Sequence, residues 1–79
     1  MAMTVFLGSL SSSSQEGRPV FRRANGETWL LVANLGDRIM AVPVVRRGSS
    51  WIRRGETATN LSPTEEIVLV EYVADEIKI

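Results

Sequence analysis

Apolar positions along this chain come in short runs of β-branched and aromatic residues, each closed by a turn signal. That is the pattern of strands joined by hairpins. Arg18 to Ala24 leads into Asn25-Gly26, the strongest short hairpin signal, because both residues tolerate the positive φ of a type I′ turn. Thr28 to Leu35 reads Thr-Trp-Leu-Leu-Val-Ala-Asn-Leu, rich in strand-favouring types. Leu35-Gly36-Asp37 forms the next turn, and Arg38 to Arg47 the next strand, with Pro43 predicting an edge or a bulge because it lacks a ladder donor. Gly48-Ser49 then turns the chain into Ser50 to Arg54. Ser62-Pro63-Thr64-Glu65 has the form of a capping box and predicts one helical turn around 62–66. Ile67 to Val73 is too β-branched for a helix and predicts a buried strand. These elements predict an all-β fold: a small single-domain antiparallel β-barrel or sandwich of about five to six strands.

Turn chemistry sets register, and register sets faces, because strand side chains alternate with period two. A two-residue Asn25-Gly26 loop places Arg22 opposite Trp29 and Phe21 opposite Leu30. A Gly48-Ser49 loop places Arg46 opposite Trp51 and Val45 opposite Ile52. Extension through the Leu35-Gly36 turn pairs Leu31 with Met40 and Trp29 with Val42. One face then holds Phe21, Leu30, Val32, Ile39, Ala41, Val45 and Ile52. The other holds Val20, Trp29, Leu31, Ala33, Met40, Val42, Val44 and Trp51, interspersed with Arg22, Arg38, Arg46 and Arg53. Both faces read as dry, whereas an antiparallel sheet usually keeps one face wet. An apolar surface left over in this way marks an interaction site.

Ahead of the β domain (18–79), residues 1–17 form an N-terminal arm. Its apolar tip, Thr4-Val5-Phe6-Leu7, is followed by a serine-rich spacer that includes Ser11 to Ser14, a composition expected to be flexible. The tip either forms a first edge strand on its own chain or reaches a neighbouring subunit. Seventy-nine residues bury only roughly 60% of the surface their unfolded chain exposes. Small domains of this kind lean on disulfides, metals or oligomerisation. With no Cys and no His, the first is excluded and the usual zinc, haem and iron–sulfur ligands are missing. No cofactor or metal is expected, and self-association is the device that remains.

Composition narrows the function classes further. The commonest general base and the thiol nucleophile are absent, and no Gly-rich phosphate loop occurs, which argues against an enzyme. No apolar run approaches the ~20 residues of a membrane span. Met1 to Thr4 has no basic flank, so no signal peptide is expected, and a soluble cytoplasmic or virion-associated protein is the default. Net charge is zero, but residues 1–64 carry eight Arg against Glu16, Glu27, Asp37 and Glu56. Residues 65–79 carry Lys78 against Glu65, Glu66, Glu71, Asp75 and Glu76. The halves are thus +4 and −4, and the simplest expectation is that they neutralise each other once folded.

Two functional expectations follow. The first is a non-enzymatic structural or protein-interaction module that forms a homo-oligomer or docks on a larger assembly. In architecture alone, small decoration or cement proteins of phage capsids have this profile. Its candidate interface residues are Val5, Phe6, Leu7, Trp29, Leu31, Met40, Val42 and Trp51. The second is a small β-barrel that binds nucleic acid or another polyanion through Arg22, Arg23, Arg46, Arg47, Arg53 and Arg54, with bases stacked on Trp29 and Trp51. Against the second, the isoelectric point of about 6.2 is not basic. Stacking of Arg22 on Trp29 and of Arg46 on Trp51, with the C-terminal carboxylates pairing the remaining arginines, would absorb the same charges internally.

Overall fold

The computed structural model describes residues 3–11, 17–55 and 57–74. The serine spacer Ser12 to Glu16 and the acidic residues Glu56, Asp75 and Glu76 lie outside them. Among the described residues, the fold is one antiparallel sheet of seven strands. They are β1 (Thr4–Phe6), β2 (Arg18–Arg22), β3 (Thr28–Asn34), β4 (Ile39–Arg47), β5 (Ser50–Arg53), β6 (Thr59–Leu61) and β7 (Glu66–Val73). Their order is β1-β7-β2-β3-β4-β5, and β6 pairs with the first half of β4 while β5 pairs with the second. Pro43, which has no N–H to give, sits where β4 passes from one partner to the other. The sheet does not close by backbone pairing among the described residues. Among the described residues, no helix is long and apolar enough to cross a membrane.

Each hairpin shows why its register is what it is. Gly48 takes φ 61° and Gly36 φ 90°, each the first residue of a tight loop, as a type II′ turn requires. The Gly48-Ser49 loop gives the expected pairs Arg46 with Trp51 and Val45 with Ile52. The first hairpin departs from expectation by one residue. Arg23 N–H donates to Glu27 O at 2.8 Å, and Gly26 N–H to Arg23 O at 2.9 Å, so the loop is Ala24-Asn25-Gly26. Asn25 does not enter the left-handed region; its side-chain oxygen accepts the Glu27 N–H at 2.9 Å, and Gly26 alone supplies positive φ. Phe21 therefore opposes Trp29, and Arg22 opposes Thr28. The middle register also differs, with Leu31 opposite Ala41 and Trp29 opposite Pro43, and a bulge at Val32.

A one-residue slip exchanges faces. Trp29 and Leu31 thus join Phe21, Ile39, Ala41, Leu61 and Ile67 in the main core, capped by Leu7 and Leu10. Leu30 and Val32 move to the opposite face with Val20, Val42, Val44 and Trp51. Residues 62–66 hold a β-turn and no helix: Ser62 Oγ accepts the Thr64 N–H, and Glu65 N–H returns to Ser62 O at 3.2 Å. The strand that follows pairs at once with β1 and β2, and this pairing takes up the backbone groups a helix would have used. The only helical element among the described residues is a 3-10 turn over Leu7–Ser9.

The N-terminal strand pairs within its own chain, Val5 against Ile67. Asn34 then clamps the segment behind it, donating from Nδ2 to Gly8 O at 3.1 Å and to Leu10 O at 2.7 Å. Leu7, fully buried, and Leu10, nearly so, close the main core from that side.

Candidate functional site

Two tryptophans organise the polar chemistry of the molecule. Arg23 lies over the Trp29 ring at 5.2 Å, and the indole N–H donates to Glu27 Oε1 at 3.2 Å. Arg23 is held in turn by a bidentate pair with Glu65, Nε to Oε2 at 2.6 Å and a terminal nitrogen to Oε1 at 3.1 Å. Arg54 approaches Glu27 at 3.7 Å. Arg46 lies over the Trp51 ring at 5.4 Å, and that indole donates to Glu71 Oε2 at 2.7 Å while Arg46 approaches the same carboxylate at 3.7 Å. The expected stacking of Arg46 on Trp51 is present. The stacking expected from Arg22 is made by Arg23, because the loop register puts Arg22 opposite Thr28.

These contacts account for part of the charge split. Glu65 and Glu71 of the acidic segment take Arg23 and Arg46, whereas Arg54 turns to Glu27. Among the described residues, Arg22, Arg38, Arg47 and Arg53 have no ion partner. Cross-strand pairing places Arg53 on the face of Val44, and Arg22 on the face of Val20, two positions along β2. The face opposite the main core therefore carries Arg22, Arg46 and Arg53 around an apolar floor.

That second face is the candidate site. Val20, Val42 and Val44 are buried in it, while Leu30, Val32, Val70, Val73 and Trp51 pack against them only partly covered. Two adjoining hollows open on it. The larger, about 560 Å³, is walled by Ser49 to Ile52 of the β4–β5 turn and β5, and by Glu71 to Ala74. The smaller, about 240 Å³, is lined by Arg18, Leu30, Val32, Arg53, Val73 and Ala74. Arg18 also donates to Val32 O at 2.8 Å.

A bulge brings a carboxylate to this site. Ile67 and Leu69 point into the main core, and strict alternation would send Glu71 after them. The register shift opposite Val20 and Phe21 leaves Val70 as an extra residue and sets Glu71 opposite Val20, on the second face beside Trp51. Sequence reading paired Glu71 with an arginine by charge alone and did not detect the bulge. The signal was there in principle, since a carboxylate in core register needs a device to leave it.

Of the expected interface residues, Leu7, Leu31 and Val42 are fully or almost fully buried within this one chain, and Trp29 is 7% exposed. Val5 packs against the main core and Met40 is half-buried. Phe6 is 56% exposed and Trp51 partly so. Residues not singled out from sequence that do reach the surface are Tyr72 beside the larger hollow and Ile52 in its wall. Among the described residues, no group of three or more carboxylates converges in a way that could hold a metal ion. No family model, curated protein or solved structure matches this chain.

Proposed function

We propose that this protein is a non-enzymatic interaction module that works by self-association or by docking on a larger assembly. The observation that carries the reading is the half-covered second face, where Leu30, Val32, Trp51, Val70 and Val73 surround a buried valine floor and are themselves only partly covered. A partly covered apolar surface of this kind is the ordinary mark of an interaction site. Exposed Ile52 and Tyr72 add apolar contact area at the larger hollow, and exposed Met3 and Phe6 add it elsewhere. The charge that survives internal pairing rims this face and supplies orientation more than affinity.

Size-exclusion chromatography with light scattering tests the reading. A salt-tolerant oligomer, or a stable complex with an assembly partner, supports it. A monodisperse monomer at tens of micromolar that also captures no partner removes it.

A second reading is supported by the four arginines that have no ion partner among the described residues, two of which share the second face with Trp51. It is the binding of nucleic acid or another polyanion. A labelled oligonucleotide should then bind with affinity that falls steeply as salt rises. Absence of binding at low salt eliminates it.

A further inference from the structure

The larger hollow lies between two strand edges. Residues of a single strand face alternate, yet its walls include both Trp51 and Ile52, and both Glu71 and Tyr72. A hollow bounded by residues of both parities is bounded by backbone edges as well as by one face.

Among the described residues, each of those edges is open. In the β4–β5 hairpin, Arg54 N–H donates to Pro43 O, which fixes the parity of the ladder: Ser50 and Ile52 bond to β4, while the N–H and C=O of Trp51 and Arg53 turn outward. On β7, the pairing with β1 ends at Val68. From Leu69 to Val73 that side of β7 has no strand beside it among the described residues, although β2 pairs the other side as far as Val73. The curl of the sheet brings the two edges toward each other. They are bridged by the Trp51–Glu71 side-chain hydrogen bond and not by backbone pairing.

We propose that this gap is a receptor slot for one extended peptide strand of a protein partner, bearing an acidic residue two positions from an apolar one, so that both side chains face inward. The proposal rests on the interaction-module reading and deepens it. The strand adds to the β5 edge through the outward groups of Trp51 and Arg53, the mode by which sheet edges capture extended peptides. Its inward side chains enter the smaller hollow, which shares Val73 and Ala74 with the larger one. There Leu30, Val32 and Val73 receive an apolar side chain, and Arg53, with no ion partner among the described residues, receives a carboxylate. A polynucleotide suits the slot less well, because Glu71 stands in its wall and the open edges offer backbone pairing that only a peptide can use.

Amide hydrogen exchange of the whole 79-residue chain, read by NMR, tests this directly. The probe is a short valine–glutamate peptide in which the two alternate at every second position with threonine between them, with the corresponding valine–lysine peptide and an oligothymidylate for comparison. Without peptide, the Trp51 and Arg53 amides exchange rapidly and the Ile52 amide slowly. The valine–glutamate peptide should slow Trp51 and Arg53 and leave Ile52 as it was. Arg53→Glu, an exposed substitution that the fold tolerates, should weaken that peptide on the order of tenfold.

The slot is overturned if Trp51 and Arg53 are already protected without peptide. It is equally overturned if the valine–lysine peptide or the oligonucleotide protects them as well as the acidic peptide does, or if no peptide affects them. Light scattering keeps the two readings apart. An oligomer whose Trp51 and Arg53 amides stay unprotected by every peptide retains the interaction module and loses the slot.

Discussion

Trp29 and Trp51 stand in nearly the same company. Each has an arginine over its ring, and each donates its indole N–H to a glutamate. Their fates differ. Trp29 is buried against Phe21 and Leu31 in a core closed by Leu7, Leu10 and Leu61, and its arginine is locked by the bidentate pair with Glu65. Trp51 lies at the margin of a face that nothing closes among the described residues, and Arg46 and Glu71 beside it are exposed over about 52% and 39% of their side chains. The same local chemistry therefore serves as structure in one place and remains available in the other. What separates them is cover. The 3-10 turn and β6 roof the first face, and among the described residues no element roofs the second.

The comparison breaks most sharply under truncation of the two floors. Phe21→Ala should cost about 3–5 kcal/mol, with its cavity sealed by neighbours on every side. Val32→Ala, on the half-covered face, should cost under about 1 kcal/mol. Chemical denaturation measures both, and equal losses would mean the second face is as closed as the first. Gly17→Ala comes next, at about 2–3 kcal/mol. Gly17 has φ 110°, and a Cβ there would collide with the carbonyl oxygen of Val73. A thermal scan that showed no loss would mean that the approach of β2 to the end of β7 is looser than described.

The two arginine stacks give the next contrast. Arg23→Ala should cost about 1–2 kcal/mol, since it removes a partly buried bidentate pair and a ring contact together. Arg46→Ala should cost about 0.5 kcal/mol or less, because its pair is more exposed and longer. Added salt should reduce the Arg46 contribution more than that of Arg23. The smallest effect belongs to Arg47→Ala, whose side chain is exposed and unpaired among the described residues: within about 0.5 kcal/mol of the parent. A large change there would uncover a partner for Arg47.

Much of this was legible along the chain. Turn glycines at Gly36 and Gly48 mark the hairpins they make, and the β-branched run Ile67 to Val73 is a strand despite the capping-box form of Ser62 to Glu65. That both faces would be apolar was also legible, because alternation cannot hide hydrophobic residues that occupy both parities. The membership of each face was not. Asn25-Gly26 signals a hairpin, but a two-residue and a three-residue loop share that signal, and the difference of one residue moved Trp29 and Leu31 into the core and Leu30 and Val32 out of it.

Local chain chemistry specifies an antiparallel sheet, the positions of its hairpins and an arginine beside each tryptophan, because these depend on neighbours in the chain and on a period of two. Long-range pairing sets which face is closed, that Glu71 leaves the core through the bulge at Val70, and that among the described residues the edges of β5 and β7 stand open across a gap. Those outcomes depend on pairings between residues far apart in the chain, where a single unpaired residue reverses the direction of every side chain beyond it.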